Sequence, residues 1–403
     1  MSEVVTMLSK MRVLSFSHFV QGPAGSQYLA DLGAEVIKVE PMTGAFERNH
    51  TGGHVYIDGL SASYFAVNRN KKSIAIDLKN PKAKAILYAI IANCDVVTEN
   101  YRGGVLDRLG FGYEAVKAAK PDIIYASASG WGPRGPMADK PGQDLLVQAR
   151  CGLVAVTGNL EEMPTVPGVP LVDQHGAALL AMGVMGAYIK KLATGEGTRV
   201  ESNLLNAGLD LQVESMAVYF SGKRTPQHFE RHPQLANWHL DAPYGVYKLA
   251  DCHAVISLGG DIEQFAAAIG SPALVALGKD RMAMRDEFTA ILAQELRGWS
   301  YARLEQRLTP HALWFERVQN YDQIRVDPQV VANDCFMEIP IGNGTATVLA
   351  HPVRYDGEAP PLRRMPVHLG ADTRQVLRDV GGLTDAAIDQ LVAAKVIHCP
   401  EAA

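Results

Sequence analysis

The hydrophobic pattern of the first 130 residues alternates between short β-branched runs and amphipathic stretches. Residues 11–17 form the first such run and residues 35–39 form the second. Between them lie a small-residue turn at residues 21–25 and a helical stretch at residues 26–32. The helical stretch ends at Gly33, a residue type suited to the position after a helix. This strand–helix–strand unit predicts a parallel sheet.

The same alternation continues and predicts a doubly wound α/β layer for the first 130 residues. Further strands are predicted at residues 73–78, 95–98 and 122–128, and helices at residues 81–93 and 113–119.

The rest of the chain mixes longer helices with irregular connections. A Pro/Gly-rich connection covers residues 131–142, an apolar helix covers residues 171–191, and a strand (198–202) and a helix (205–220) follow. Residues 221–242 are polar and rich in His and Pro, so we place a domain boundary there. Beyond it we predict a β-hairpin (244–258), several amphipathic helices up to residue 318, a proline-rich connection (356–369) and two terminal helices (372–383 and 384–395).

Composition narrows the classes of function. Of the 403 residues, 47% are hydrophobic and 20% are charged, which is typical of a soluble protein with large cores. The 43 acidic and 38 basic side chains give a net charge of −5, whereas nucleic-acid binders usually have a basic excess. At roughly 100–200 residues per domain, the length predicts two or three domains.

Neither the cysteines nor the apolar segments indicate export or a membrane. The 5 cysteines are scattered and form no CxxC pair, which favours a reducing compartment over disulfides or a zinc site. The start of the chain lacks the apolar core of a signal peptide. The longest nearly uncharged apolar run, residues 176–189, is too short to cross a bilayer and predicts a buried helix. We therefore expect a cytoplasmic enzyme acting on small molecules.

The turn after the first predicted strand lacks the glycine pattern of a dinucleotide site. Such a site needs GxGxxG, whereas this turn has only Gly22 and Gly25 with Pro23 between them. Glu40 ends the second strand and would suit a ribose hydroxyl, yet the phosphate-cradling glycines are missing, so NAD binding is disfavoured. Walker A, HExxH, GxSxG and kinase motifs and metal-ligand spacings are also missing, and we predict no metal site.

Basic residues gather near the ends of the predicted strands, where open α/β sheets bind their ligands. Arg102 and Arg108 follow the strand at residues 95–98 and would suit a polyanion such as a pyrophosphate. The alternative is that each is a solvated surface charge. The other members of this set are Arg69, Lys71 and Lys72 near the strand at residues 73–78, and Arg134 and Lys140 in the Pro/Gly connection.

Asp173 stands at the start of the apolar helix, in the segment PLVDQHG. One interpretation is a helix N-cap, a position that Asp favours. The other is a carboxylate nucleophile or base, kept ionised by the helix N-terminus. Gly176, Ala177 and Ala178 would then leave room for a ligand. The two interpretations do not exclude each other.

These residues lie in segments that resemble the class III CoA-transferase family, which includes formyl-CoA and carnitine CoA-transferases and the α-methylacyl-CoA racemases. The similar segments are FSHFVQGPAGSQYLADLGAEVIKVEP, NRNKKSIAIDLKNP, TENYRGGVLDRLGFGYE and IIYASASGWGPRGPMADKPGQDLLVQARCG. Residues 171–207 resemble the family's catalytic helix and the strand after it, and weaker similarity reaches PVHLGADTRQVLRDVGGL near the end. The resemblance covers essentially the whole chain and is strongest over residues 11–207.

The resemblance implies a fold and an assembly. A Rossmann-like α/β large domain with a parallel sheet would be built from both chain ends, residues 1–220 and 330–403. A smaller α+β domain would come from the middle, residues 221–329. Two subunits would interlock as a homodimer.

The resemblance also implies CoA transfer from an acyl-CoA to a carboxylic acid, with CoA as a substrate and no prosthetic group. Asp173 matches the catalytic aspartate, which reacts through a mixed anhydride and an aspartyl-CoA thioester. Backbone N–H groups near Val20 and Gln21 are expected to hold the developing oxyanion. The other expected CoA-binding residues are Ile76, Asp77, Leu78 and Lys79 around the adenine, then Asn100, Tyr101, Arg102 and Arg108, and Lys140, Gln143 and Asp144 towards the pantetheine.

Departures from the family pattern separate the subfamilies. The racemases carry a His directly before the Asp of a GxD motif, where this chain has Gln143, which accepts no proton at neutral pH. The later glutamate of the racemases also has no counterpart around residues 260–262. CoA transfer is therefore favoured over the alternative, a racemase or isomerase that abstracts an α-proton. A non-catalytic CoA-binding protein is a third hypothesis.

Two further departures concern the substrates. An arginine that some members carry after the second strand is replaced by Pro41-Met42, so Lys71, Lys72 or Arg48 would have to bind the 3′-phosphate. The glycine run of the oxalate enzymes is absent at residues 234–239, which disfavours a strict oxalate enzyme. The candidates for binding a second carboxylate of the acceptor are Arg48, His50 and His239, with His54 and Gln143 as further polar residues. We therefore expect C4–C5 dicarboxylates, for example succinyl-CoA with a related acid.

Overall fold

The structure is a computed structural model that describes residues 7–158, 164–257, 262–277, 280–341 and 344–400. The end of the predicted hairpin at residue 258 and residues 260–261 of the racemase comparison lie outside the described residues.

The strands fall on the β-branched runs of the sequence, with ends shifted by one or two residues in the first part of the chain. Their bounds are β1 (Arg12–Phe16), β2 (Glu35–Glu40), β3 (Tyr56–Ile57), β4 (Leu60–Ser61), β5 (Lys71–Ile76), β6 (Val96–Glu99), β7 (Ile124–Ser129), β8 (Thr198–Asn203), β9 (Gly245–Lys248), β10 (His253–Ile256), β11 (Phe315–Arg317), β12 (Phe336–Ile341), β13 (Gly344–Leu349) and β14 (Ile397–His398).

Helices connect these strands and cover the sheet. Their bounds are α1 (Gln21–Asp31), α2 (Phe46–Asn49), α3 (Ala62–Val67), α4 (Pro81–Ile91), α5 (Val105–Leu109), α6 (Tyr113–Ala119), α7 (Asp144–Arg150), α8 (Leu153–Val156), α9 (Leu171–Thr194), α10 (Leu204–Asp210), α11 (Val213–Ser221), α12 (Ile262–Ile269), α13 (Pro272–Ala276), α14 (Arg285–Leu296), α15 (Tyr301–Leu308), α16 (Tyr321–Val326), α17 (Pro328–Ala332), α18 (Thr373–Asp379) and α19 (Asp385–Ala393).

The largest sheet of the described residues has the strand order β14-β5-β2-β1-β6-β7-β8. Its strands pair in parallel except β14, which joins β5 antiparallel. Without β14, the order is that of the doubly wound dinucleotide-binding fold. The order reverses between β1 and β6, and such sheets bind ligands outside the carboxyl ends of the strands at this point. The predicted α/β fold with a mostly parallel sheet is confirmed.

Apolar side chains bury both faces of this sheet, as alternation along each strand requires. On one face, Leu14 belongs to a cluster that includes Leu87 of α4. On the other, Val13 belongs to a cluster with Leu29 of α1 and Val184 of α9.

The predicted turn at residues 21–25 is wrong, because these residues form the beginning of α1. Pro23 fits there, since the N–H that it lacks would have no partner inside the first helical turn. A Cβ on Gly25 would lie 3.0 Å from the Ala177 carbonyl oxygen and 2.9 Å from Leu180. The absence of a side chain at Gly25 therefore allows α1 to pack closely against α9, and the glycine is not part of a turn.

The helix predicted over residues 205–220 is two helices, α10 and α11. Gln212 leaves helical geometry between them, with φ −114° and ψ 17°. Its side-chain amide donates instead to the Cys151 carbonyl oxygen at 3.1 Å.

The chain divides into two compact units. Unit 1 comprises Met1–Val147, Val169–Leu211 and Gln329–Ala403, and unit 2 comprises Gln148–Gly168 and Gln212–Pro328. Residues 148–168 therefore fall in unit 2, whereas the sequence boundaries placed them in the large domain. Contacts such as that from Arg231 to the Val156 carbonyl oxygen (3.1 Å) hold them there.

Unit 2 has its own core. The antiparallel sheet β11-β10-β9 packs with α12, α14 and α15 around Tyr247, Phe265, Phe288, Leu292 and Leu304.

The helix α9 is longer than the apolar run that predicted it. Among the described residues, it is the one helix long and apolar enough to cross a bilayer by length and composition. Its inner face, which includes Ala177, Leu180 and Val184, is buried in the core of unit 1.

Candidate functional site

The candidate site lies in unit 1, where the carboxyl ends of β1, β5 and β6 share one edge of the sheet. Val20 and Gln21 begin α1 directly after β1, and Asn100 and Tyr101 follow β6. Residues 77–79 follow β5. The topology thus brings together three of the segments that the sequence assigned to CoA.

Asp173 is the third residue of α9, so the N-cap interpretation is wrong. The N-cap residue is Pro170, which makes no side-chain cap. Asp144 performs this role from another segment, because its Oδ2 accepts from the N–H of Val172 (2.8 Å) and of Asp173 (2.9 Å). The Asp173 carboxylate accepts no hydrogen bond from any residue that the structure describes, so it is left available for chemistry.

The environment of Asp173 favours its neutral form. Burial, and then the negative charge of Asp144, raise the pKa of Asp173 to about 7. The carboxyl group therefore titrates near neutral pH, as groups in active sites often do.

The Gln21 side chain lies over the beginning of α9. The residue is 3% exposed, and its Nε2 has no hydrogen-bond partner among the described residues. A Cβ on Gly176 would lie only 2.7 Å from this Nε2. Since Gly176 and Asp173 are three residues apart on one helix, they share a face, and Gly176 makes room for the Gln21 amide on that face.

The turn His18–Phe19, which leads from β1 into α1, is held by groups from three other segments. The Asn100 side chain accepts from the His18 N–H (2.9 Å) and donates to the His18 carbonyl oxygen (2.8 Å). Glu47 Oε2 accepts from the Phe19 N–H (3.0 Å), and Glu47 Oε1 accepts from Lys38 (2.9 Å). Lys38 also donates to the Ser17 carbonyl oxygen (2.7 Å). We call this arrangement the β1 clamp.

The β1 clamp stabilises an unfavourable backbone conformation. Phe19 has φ +60°, which is uncommon for a residue other than glycine. Lys38 and Glu47 are almost fully buried, with side-chain exposures of 1% and 4%. Their ion pair and hydrogen bonds therefore fix the turn next to the N–H groups of Val20 and Gln21.

A small cavity opens beside this turn. It has a volume of about 230 Å³, and aromatic rings line much of it. Burial lowers the pKa of His18 to about 4, so the imidazole is neutral at physiological pH. The lining residues are Ser17, His18, Phe19, Val39, Pro41, Gly44, Ala45, Phe46 and Tyr101.

Several sequence-predicted CoA residues are placed so that a ligand can reach them. Lys79, Arg102, Arg108, Lys140 and Gln143 are exposed, whereas Ile76 is buried at the end of β5 and Asp77 and Leu78 are half-buried. Asn100 is different, because both atoms of its side-chain amide are committed to His18. It acts on the site through the β1 clamp.

Arg48 is not available to a substrate. Its guanidinium pairs with Glu40 through Nε (2.6 Å) and Nη2 (2.7 Å), donates to the Val367 carbonyl oxygen (2.9 Å) and lies 3.8 Å from the centre of the Tyr64 ring. The sequence could not reveal this, because the partners lie on β2, α3 and the segment near residue 367. Glu40 is likewise committed to Arg48 and does not face a ribose.

Other basic candidates also serve the fold. Lys71 is 2% exposed and donates to the carbonyl oxygens of Pro23 and Val67 and to Asn68. Arg69 forms a buried ion pair with Asp31 (2.6 Å), and Lys72 pairs with Glu35 (2.6 Å).

The three histidine candidates fall in two different units. His50 is exposed and its ring contacts Phe46, with ring centres 4.8 Å apart. His54 is exposed in a turn before β3. His239 belongs to unit 2, where it lines a separate cavity.

Sequence reasoning missed Lys38 and Glu47 of the β1 clamp. The sequence did contain a signal for Lys38, which interrupts the otherwise apolar centre of a strand whose two faces are both buried. A lysine there must have a buried partner. No cluster of three metal-binding side chains occurs in the described ranges.

Comparison with known proteins agrees with the fold. The sequence model of CoA-transferase family III matches residues 8–373. Succinyl-CoA:glutarate CoA-transferase of Homo sapiens is 32% identical over 408 residues, covering 97% of this chain and 90% of that protein. Succinyl-CoA–D-citramalate CoA-transferase of Chloroflexus aurantiacus is 29% identical, covering 97% and 98%. A solved CAIB/BAIF family protein from Brucella suis has a TM-score of 0.79 and 26% identity, covering 92% and 98%.

Proposed function

Because the chain belongs to CoA-transferase family III and is a CoA-transferase, we propose that Asp173 carries the transfer as a covalent nucleophile. The observation that supports this most is that a different aspartate, Asp144, accepts the N–H groups at the beginning of α9. Asp144 caps α9, so the Asp173 carboxylate is not needed for the fold.

The reaction begins when the Asp173 carboxylate attacks the thioester carbonyl of the donor. A C–O bond forms, the C–S bond breaks, and CoA leaves as the thiolate, giving a mixed anhydride. The thiolate then attacks the aspartyl carbonyl, the donor acid leaves as a carboxylate, and Asp173 holds CoA as a thioester. The acceptor carboxylate reverses these steps, so that the energy of the thioester is conserved.

Each tetrahedral intermediate carries an oxyanion, which needs hydrogen-bond donors. The N–H groups at Val20 and Gln21 and the unpartnered Gln21 Nε2 are the donors that we assign. The β1 clamp supports this assignment, because preorganised donors lose no energy to rearrangement during the reaction.

CoA itself would lie along the carboxyl edge of the sheet. The cavity beside Phe19, Phe46 and Tyr101 is apolar and aromatic, which suits a planar base or the pantetheine chain. The exposed cations Lys79, Arg102, Arg108 and Lys140 would bind the phosphates. With Arg48, Lys71 and Lys72 committed elsewhere, these four are also candidates for the 3′-phosphate.

The enzyme would act as a cytoplasmic homodimer. Met182, Ile189 and Leu192 on the outer face of α9 are 60%, 68% and 69% exposed, and exposed apolar rows of this kind mark interfaces.

The substrates that we propose are C4–C5 dicarboxylates, with succinyl-CoA as the donor. Relatives named for succinyl-CoA with glutarate and with citramalate support this class. A matrix of acyl-CoA donors and acids, read by mass spectrometry, should give glutaryl-CoA from succinyl-CoA and glutarate, and at least tenfold less product with monocarboxylates. Turnover of monocarboxylates alone would refute the substrate class. Deuterium exchange at the α-carbon without any acid would instead indicate a racemase.

Replacing Asp144 with Asn should shift the pH dependence of transfer. The reaction needs ionised Asp173, so the rate should rise with pH through about 7 in the wild type. The substituted asparagine can still accept the two helix N–H bonds but carries no charge, so the pKa of Asp173 should fall and the acid limb should move down by roughly one pH unit. Initial rates at saturating substrates between pH 5 and 9 measure this.

Glu114→Gln is the matched control, because Glu114 is exposed on α6 and outside the site. It should leave the acid limb in place. An unchanged limb in Asp144→Asn would mean that the titration does not belong to Asp173.

A further inference from the structure

We propose that Lys38 and Glu47 are positioning residues for the transfer reaction, which they influence through the turn before α1. Neither side chain reaches a substrate, since the two are only 1% and 4% exposed. They act on the N–H groups of Val20 and Gln21, which follow the turn and are the oxyanion donors of the proposed mechanism. This inference rests on the proposed function and adds the residues that set the geometry of those donors.

The beginning of α1 has no capping side chain of its own. Its N-cap residue is Val20, which has φ −115° and ψ −59° and makes no side-chain cap. Its third residue is Pro23, which has no N–H group. The position of the first N–H groups therefore depends on the backbone that leads into the helix, which is the turn at Ser17–Phe19.

The two charged side chains hold the two ends of this turn. Lys38 Nζ donates to the Ser17 carbonyl oxygen at 2.7 Å, and Glu47 Oε2 accepts from the Phe19 N–H at 3.0 Å. Lys38 Nζ also donates to Glu47 Oε1 at 2.9 Å. The bond between the two side chains thus fixes one end of the turn relative to the other.

Close packing transmits this geometry to the helix. A Cβ on Gly22 would lie 2.8 Å from Asn100 Cγ and 2.8 Å from Ser17 Cβ. The second residue of α1 therefore lies directly against the turn and against the side chain that holds His18. Because the packing leaves no free space here, a shift of the turn would displace the beginning of α1 with it.

The ion pair opposes the strain of the turn. Phe19 has φ +60°, a left-handed conformation that residues with a side chain disfavour. A hydrogen bond to a charged acceptor is stronger than one to a neutral acceptor, and Glu47 gives the Phe19 N–H a charged acceptor. Lys38 in turn compensates the negative charge of Glu47, which would otherwise be buried without a partner.

The backbone that carries Glu47 is itself anchored. Ser61 is fully buried, and its hydroxyl donates to the Glu47 carbonyl oxygen. The same hydroxyl oxygen accepts from the Tyr64 N–H at 3.0 Å. The short helix α2 is therefore tied to the beginning of α3, and the Glu47 carboxylate holds the turn in one place instead of moving with it.

Replacing Glu47 with Gln tests the inference. Lys38 then takes the amide oxygen as its acceptor, and the amide NH₂ group is directed at the Phe19 N–H, so that two donors oppose each other. Because the oxyanion donors are displaced, kcat for transfer from succinyl-CoA to glutarate should fall by about 100-fold per folded molecule. Both KM values should stay within about threefold of wild type, since the pair touches neither substrate. Initial rates, with the folded fraction from circular dichroism, measure this.

A double variant separates the hydrogen bond from the buried charge. In Lys38→Met/Glu47→Gln no cation competes for the amide oxygen, which is then free to accept from the Phe19 N–H. Both charges are gone, so this protein should fold even where a lone buried lysine would hinder folding. Its kcat should exceed that of Glu47→Gln by at least about tenfold, without reaching the wild-type value because Ser17 has lost its donor.

Asp31→Asn is the matched control for Glu47→Gln. Asp31 lies at the other end of α1 and pairs with Arg69 at 2.6 Å, with side-chain exposures of 1% and 9%. The substitution likewise leaves a buried cation beside a neutral amide, so both variants should show a lowered thermal midpoint. Asp31→Asn should keep the wild-type kcat per folded molecule, because the length of α1 separates it from the turn.

Hydrogen exchange at the Phe19 amide reports on the turn without any reaction. Followed by NMR, it should be at least about tenfold faster in Glu47→Gln than in the similarly destabilised Asp31→Asn. The proposal is wrong if kcat per folded molecule is unchanged in Glu47→Gln, falls equally in Asp31→Asn or does not recover in the double variant, or if the two exchange rates are equal. Absence of transfer in the wild type would refute the proposed function instead, and exchange at Phe19 would still decide whether the pair fixes the turn.

Discussion

Asp173→Asn is expected to lower the rate of CoA transfer by about 10⁴-fold or more, as loss of a covalent nucleophile does. The amide has nearly the same shape as the carboxylate but cannot attack the thioester. Asp173→Glu should also be severely impaired, because one additional methylene displaces the carboxylate from the Gln21 side of α9. The measurement is the formation of product acyl-CoA by mass spectrometry.

The same Asp173→Asn variant should be at least as stable as the wild type. A loss of activity in this variant would then reflect loss of the chemical step and not unfolding. The pKa of Asp173 is raised to about 7 in the folded protein, above the ordinary value near 4. Between these two values the folded state binds more protons than the unfolded state, so wild-type stability is lost as pH rises through this window. Asn removes that loss, and the thermal midpoint at pH 8 should therefore rise.

Trapping identifies the intermediate directly. Hydroxylamine added together with succinyl-CoA should convert Asp173 into a hydroxamate, which peptide mass spectrometry locates, and activity should disappear. Without the acyl-CoA, no modification should occur. Retention of full transfer by Asp173→Asn, or modification of a different carboxylate, would contradict the mechanism.

Arg48→Met is expected to destabilise the protein by about 3–5 kcal/mol, the effect of leaving a buried charge without its partner. Glu40 is fully buried, and although burial alone would raise the pKa of Glu40, the hydrogen bonds from Arg48 hold that pKa below its ordinary value. Met fills a similar volume without the charge. Urea denaturation measures the change, and the double variant Arg48→Met/Glu40→Gln should recover part of the loss because both charges are then gone.

Arg378→Met is the control, since the Arg378–Asp379 pair is exposed and should leave the denaturation midpoint unchanged. The alternative role of Arg48, binding the second carboxylate of the acceptor, makes a different prediction. A variant with unchanged stability and a raised KM for glutarate would show that Arg48 binds substrate and would contradict its structural role.

The strands and helices of the parallel sheet could be predicted from the sequence, because hydrophobic periodicity can be recognised within a single segment. The strand at Arg12–Phe16 and the helix at Tyr113–Ala119 could be located from single segments. Segments dominated by glycine and proline were less informative. The stretch at residues 21–25 contains residues typical of turns, yet it is helical because α9 packs closely against Gly25.

The sequence could not predict which side chains from distant segments pair with each other. Arg48 and Asp173 both looked suited to a substrate, but only the structure shows that Arg48 is committed to Glu40 while the capping role expected of Asp173 belongs to Asp144. The role of Asp173 as nucleophile stays a prediction, which rests on the residues around it and on the family resemblance. The capping partner lies 29 residues away, and no local pattern reports such a contact.

The β1 clamp has a consequence for how this enzyme can diversify. The turn at Phe19 is tied to β2, α2 and the end of β6, so its amides cannot shift without disturbing the frame of the sheet. Under the mechanism that we propose, adaptation to a new acid must therefore occur in other segments. Under the same mechanism, substitution of Glu47, distant in sequence and hidden from solvent, would resemble an active-site lesion.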